Sequence, residues 1–84
     1  MSEIHRLNQL AAGQSASVLR ILTKGSMRRR LQDIGLIEGT RVLCLMRSPA
    51  GDPTAYGIRG AVIALRADDA AGVMVNEVPN ENDT

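Results

Sequence analysis

Aromatic residues are almost missing from this chain of 84 residues: there is no Phe and no Trp, and Tyr56 stands alone. The core must therefore be built from Val, Ile, Leu, Ala and Met. The surface lacks the interleaved aromatic platforms on which bases stack in single-stranded nucleic-acid binders. Cysteine is scarce as well. Cys44 is the only one, which excludes an intrachain disulfide and a cysteine-based metal cage and fits a reducing compartment. His5 is the only histidine. One His and one Cys without clustered carboxylates make no zinc or iron site, and no nucleophile–base–orienter set can be assembled from them. The glycine-rich stretches lack the G-K-S/T ending of a phosphate-binding loop. No segment approaches the roughly 20 apolar residues that span a bilayer, and the first residues have no apolar stretch of the signal-peptide kind. The expectation is a cytoplasmic, non-enzymatic chain with no cofactor, no bound metal, no nucleic-acid partner and no direct membrane insertion.

What is present is a small globular composition, 44% hydrophobic, with a net charge of +1. A single domain of this size buries only roughly 60% of its unfolded surface, so a deep substrate cavity is not expected. The charge is unevenly spread. Arg20, Lys24, Arg28, Arg29, Arg30, Arg41 and Arg47 face only Asp33 and Glu38 across the middle of the chain. Beyond Ala67 there are Asp68, Asp69, Glu77, Glu81 and Asp83 and no base. Such polarity steers partners more than it shapes a fold.

Short apolar runs separated by glycine punctuate the chain: Ala16 to Thr23, Arg41 to Ser48, Thr54 to Arg59, Ala61 to Arg66 and Val73 to Val78. Each has the length and β-branched content of a strand. The turn at Gly60 is expected to take in Arg59 and Ala61. One segment reads as a helix, from about Ser26 to Ile34. Met27, Leu31 and Ile34 fall on one face at i, i+4 and i+7, Ser26 is placed to cap the start, and Gly35 suits the left-handed position past the end. Ala67 to Ala71 reads as a turn or short helix. The fold class is mainly β: a small barrel with one short helix inserted between the first two long strands. Residues 1–6 are expected to be a flexible N-terminus, 7–78 the barrel, and 79–84 a flexible polar tail.

Three surfaces are candidates for binding. Arg28, Arg29 and Arg30 oppose the helix dipole at the start of the helix; they read either as a solvated face paired with Asp33 or as a docking surface for an acidic partner. The loop Pro49-Ala50-Gly51-Asp52-Pro53 is stiff, polar and exposed, with Pro49, Gly51, Asp52 and Pro53 as candidate contacts. In the second long strand, Val42, Cys44 and Met46 are expected to face the core. Leu43 and Leu45 then face out with Met74, as an apolar patch that either a neighbouring segment covers or a partner does. Gly35 and Gly39 read as structural turns.

In chain order these features spell R-R-x-L-x-D-x-G-L-x-x-G-x-x-V from Arg28 to Val42, then P-x-G-D-P from Pro49 to Pro53, then I-A-L-R-x-x-x-A from Ile63 to Ala70. The order and spacing resemble the FeoA family of bacterial ferrous iron uptake, over about Leu10 to Val78. The resemblance implies an SH3-like barrel with a helical insertion. It also implies an accessory role through protein–protein contact with the cytosolic part of FeoB, the membrane iron permease with a GTPase domain, which would recruit the chain to the inner face of the membrane. It implies no catalytic residues. Two other readings stand beside it: a regulatory or sensing domain acting in trans on an iron-dependent repressor, and self-association into a homo-oligomer.

Overall fold

The computed structural model describes residues 4–78. The expected flexible tail, 79–84, lies outside the described residues, as do residues 1–3. The strands are β1 (Ile4–Arg6), β2 (Ser15–Ile21), β3 (Arg41–Arg47), β4 (Thr54–Ile58), β5 (Ala61–Leu65) and β6 (Val73–Val78). Helix α1 (Gly25–Asp33) lies between β2 and β3, and the short α2 (Ala67–Ala70) between β5 and β6. All the strands join one antiparallel sheet in the order β1-β6-β2-β3-β4-β5. Inner-face residues from β2 to β6 enter one buried cluster with Leu31 and Leu36. The sheet therefore curls around a single aliphatic core, with α1 inserted between the first two long strands.

The run boundaries agree with five of these strands to within a residue or two. The sixth, β1, corrects the expectation of a frayed segment from residues 1 to 6: Ile4, His5 and Arg6 pair with Asn76, Val75 and Met74. Three residues carry too little pattern to announce a strand, and the pairing partner lies at the other end of the chain. Arg6 fixes the strand further by donating from Nη1 to the Ala71 carbonyl at 2.7 Å.

Helix α1 begins one residue before the expected position. Lys24 occupies its N-cap and no side chain caps it, so Ser26 does not do so. Its apolar face is as expected, with Leu31 buried and Met27 and Ile34 packed against the core. The end is well closed. Ile34 is the C-cap, and Gly35 follows at φ +102°. The Gly35 and Leu36 N–H groups donate to the Gln32 and Leu31 carbonyls at 3.0 and 2.9 Å, the paired bonds of a Schellman motif. Leu31 and Leu36, both fully buried, supply its apolar contact.

A bulge in β3 and a tight turn after β4 set which residues face out. In β3 the pairing with β4 slips between Cys44 and Met46. The extra residue is Leu45, and it turns Met46 to solvent, where it is 61% exposed. This overturns the expectation that Met46 follows Val42 and Cys44 into the core: simple alternation fails where a bulge inserts a residue. At the other end of β4, Ile58 pairs directly with Ala61, so the turn holds only Arg59 and Gly60, at φ +51° and +83°. Positive φ at both positions is the type I′ geometry that matches strand twist. Ala61 belongs to the strand.

Candidate docking surfaces

The three arginines of α1 are exposed, but they are not equivalent. Arg28 reaches back along the chain, and its Nη1 donates to the Ile21 carbonyl at 2.7 Å. It ties α1 to the end of β2. Among the described residues no ion pair joins Asp33 to Arg29 or Arg30. These two remain available as a surface charge.

The loop from Pro49 to Pro53 is exposed and contains a cis Asp52–Pro53 bond. Asp52 is partly committed inside the molecule, because its Oδ1 accepts the Ala67 N–H at 2.9 Å. That bond fastens the loop to the first turn of α2, and Asp52 thus acts as a clasp. The loop is closed at its base by the Ser48 N–H donating to the Pro53 carbonyl at 3.1 Å. Pro49, Gly51 and Pro53 stay at the surface.

The apolar patch is placed differently from its expected form. Leu43 and Leu45 face outward, each 37% exposed. Met74 does not join them. It lies in register with Arg6 on one side and Arg20 on the other, and it is half-buried there, as expected where long arginine stems lie along an apolar side chain. Leu43 instead shares a cross-strand row with Gly57 and Val62. Val62 is 70% exposed. Next along the face, Ala55 pairs with Met46 and with Ala64. The outer face of the β3–β4–β5 meander is therefore apolar from edge to edge. Sequence reading missed Gly57, Val62 and Met46. The available signal was A-V-I-A-L in β5, a strand without one polar residue although it ends the sheet.

Beside this face, a cleft of about 640 Å³ is bounded by Ile37, Glu38, Arg41, Leu43, Gly57 and Arg59. Gly39 and Thr40 form its back wall. Gly39, at φ +87°, turns the chain from α1 into β3 as expected, and Thr40 donates from Oγ1 to the Gly35 carbonyl at 2.9 Å.

Among the described residues, no catalytic or ligating cluster gathers elsewhere. Cys44 is buried, and its thiol donates to the Leu10 carbonyl at 3.6 Å. Burial pushes its pKa above the ordinary value, with Arg47 opposing. Burial raises the Tyr56 phenol in the same way, and its hydroxyl donates to the Leu7 carbonyl at 3.4 Å. Arg47 closes the same corner by donating to the Asn8 and Leu10 carbonyls, both at 3.1 Å. His5 Nε2 lies 3.5 Å from Glu77 Oε1. Among the described residues, no three of His, Cys, Asp and Glu come together as a metal site, and no helix is long and apolar enough to cross a membrane.

A curled antiparallel sheet with a thin core, an apolar outer face and a basic cleft defines a small SH3-like barrel. The particular family is shown by comparison with known proteins: the FeoA domain model matches residues 5–77, and the chain belongs to that family. The solution structure of FeoA from Chlorobium tepidum superposes with a TM-score of 0.84 at 32% identity, covering 89% of this chain and 71% of that one. Stenotrophomonas maltophilia FeoA, solved with zinc and described as a prokaryotic SH3 domain protein, gives 0.76 at 27% identity, covering 84% of this chain and 88% of that one. A curated relative, the Fe(2+) transport protein A/Fe(2+) transporter FeoB fusion protein of Porphyromonas gingivalis, is 32% identical over 70 residues. These are 83% of this chain, which spans only 8% of that relative's length. A manganese-dependent transcriptional repressor shares the fold alone, at 22% identity and a TM-score of 0.81, over 93% of this chain and 44% of the repressor.

Proposed function

We propose that this chain is a non-catalytic accessory module of ferrous iron uptake that acts by binding the cytosolic part of a FeoB-type permease. The observation that carries this reading is the fusion relative, in which a segment similar to this chain and a FeoB transporter form one polypeptide. Linking two modules raises their effective concentration to roughly millimolar for short linkers. A contact of modest area, such as a 9.0 kDa barrel can offer, is then enough to couple them. Binding the permease would hold the chain at the inner face of the membrane.

Two surfaces expected from the sequence contribute in this proposal. Arg29 and Arg30 steer an acidic partner, since exposed cations act on association rate more than on final affinity. Pro49, Gly51 and Pro53 offer a stiff edge that loses little entropy on contact. Arg28 and Asp52 support those surfaces through their bonds to Ile21 and Ala67.

The test is binding of the purified chain to the cytosolic region of a FeoB-type transporter at low and physiological salt. Wild type is expected to bind, with an association rate that falls as salt rises. The R29E/R30E variant is expected to associate more slowly and with a flatter salt dependence. Absence of binding by wild type at either salt would overturn the reading.

A further inference from the structure

Gly57 lies in the middle of β4, and nothing inside the molecule requires a glycine there. It is not among the glycines of positive φ. A Cβ built on it would meet the side chains of Leu43 and Leu45 at 3.8 Å, which is ordinary contact. A glycine inside a strand gives up packing and costs backbone entropy. A strand glycine accompanies a bulge, a tight bend or close approach by another backbone; the neighbouring bulge at Leu45 lies in β3 and leaves room for a Cβ at Gly57, which favours close approach.

The surroundings of Gly57 form a groove. Its cross-strand partners are Leu43 on one side and Val62 on the other, with Leu45 thickening the first wall. The two wall strands are separated by two strand spacings, roughly 10 Å between backbones. A helix with side chains is about 10–12 Å across and does not fit between side-chain walls at that separation, whereas a single extended chain does. Toward the β4–β5 turn the groove opens into the cleft that Ile37, Arg41 and Arg59 border. The methylenes of Arg59 lie over Gly35, and no hydrogen bond or ion pair among the described residues holds its guanidinium. Arg41 and Arg59 oppose a single acid, Glu38, at this end. The complement is a segment that is apolar at its centre and acidic at one end.

We propose that the groove over Gly57 receives an extended segment of the partner, with an apolar side chain seated on Gly57 between Leu43 and Val62 and a carboxylate paired with Arg59. Gly57 and Arg59 line the same cleft, so the partner's seated apolar side chain and its carboxylate lie on one face of the extended segment. The proposal rests on the reading of the chain as a FeoB-binding module and names the surface and the partner chemistry of that contact. Nucleic acid does not fit, because the walls are aliphatic and offer no aromatic platform for a base.

The test uses the cytosolic region of a FeoB-type transporter as the probe, with wild type, G57A, G57V and R59Q, and follows binding, melting temperature and light scattering. G57A is expected to melt at or above the wild-type temperature, because the added Cβ meets only ordinary contacts, and the melting temperature of G57V establishes that it is folded. G57V is expected to weaken binding at least tenfold, G57A less, and R59Q several-fold with a smaller salt dependence. Binding by G57V at wild-type strength would overturn the groove while leaving the FeoB reading in place. No binding by wild type would remove both. A wild-type dimer that G57V dissolves would show that a second copy fills the groove, and would overturn the acidic occupant.

Discussion

The two halves of the sheet line the same core but present opposite surfaces. In the β1–β6–β2 half, inward Val75 and Val18 alternate with outward residues that are mostly polar: Arg6, Asn76, Ser17 and Arg20. The large apolar side chains exposed in this half, Ile4 and Leu19, lie on the edge strand β1 and at the β2 bulge, and Met74 in the middle of the face is in register with Arg6 and Arg20. In the β3–β4–β5 half, inward Val42, Tyr56, Ile58 and Leu65 alternate with Leu43, Gly57, Val62 and Ala64. Burial explains most of the pattern in the first half, where the exposed apolar residues Ile4 and Leu19 stand apart. In the second it explains only the inner face. Residues that folding does not account for there are apolar, adjacent and beside an uncommitted arginine, and this is the ground for proposing that half as the docking face.

That contrast can be broken most severely from the inside. Tyr56→Ala removes the largest fully buried side chain and is expected to cost about 3–5 kcal/mol, a large part of the stability of a small domain. Denaturant unfolding measures it. A loss below about 1 kcal/mol would mean that the meander does not share the core. Gly35→Ala comes next. At φ +102° the substitution is strained, and the new Cβ would lie 2.6 Å from Arg59 Cδ, which a flexible side chain can yield. The left-handed penalty of about 1–2 kcal/mol is then the expected loss, again read from denaturant midpoints.

A smaller effect is expected from pH. The Cys44 thiol and Tyr56 phenol are both raised by burial above their ordinary values of 9.0 and 10.0. The folded state therefore keeps protons that the unfolded chain releases. With fewer protons on the unfolded state, stability falls as pH rises. Below the unfolded values the contribution is fully present; it is lost from about pH 9 upward. Melting temperature across pH 7 to 11 should be flat at first and then decline, and Cys44→Ala should start its decline later. The smallest change is expected at the outer face. Val62→Lys should move stability by no more than about 0.5 kcal/mol, while weakening partner binding. The same substitution on the inner face, Ile58→Lys, should unfold the chain.

Sequence carried much of this and missed particular parts for identifiable reasons. The strands from β2 to β6, the apolar face of α1 and the glycine after it are local patterns, visible as periodicity and turn chemistry. The bulge at Leu45 depends on how β3 registers with β4, and so the outward turn of Met46 was not legible. Arg28 and Asp52 looked like free surface groups because their partners, the Ile21 carbonyl and the Ala67 N–H, are backbone atoms that a sequence does not label. Met74 was assigned to the patch by alternation alone. Its distance from Leu43 follows from strand order, since β2 separates β6 from β3. Gly57 read as an ordinary strand residue, and only its surroundings show that a side chain would have fitted.

The most direct measurement is the footprint of the partner on the molecule. Backbone amide shifts of the labelled chain would be followed as the cytosolic region of a FeoB-type transporter is added. Shifts concentrated at Leu43, Leu45, Gly57, Arg59 and Val62, with Arg6, Ser17, Arg20 and Asn76 unmoved, are the expected result. Shifts confined to the β1–β6–β2 face, or none at saturating partner, would contradict the assignment of the apolar half as the docking face.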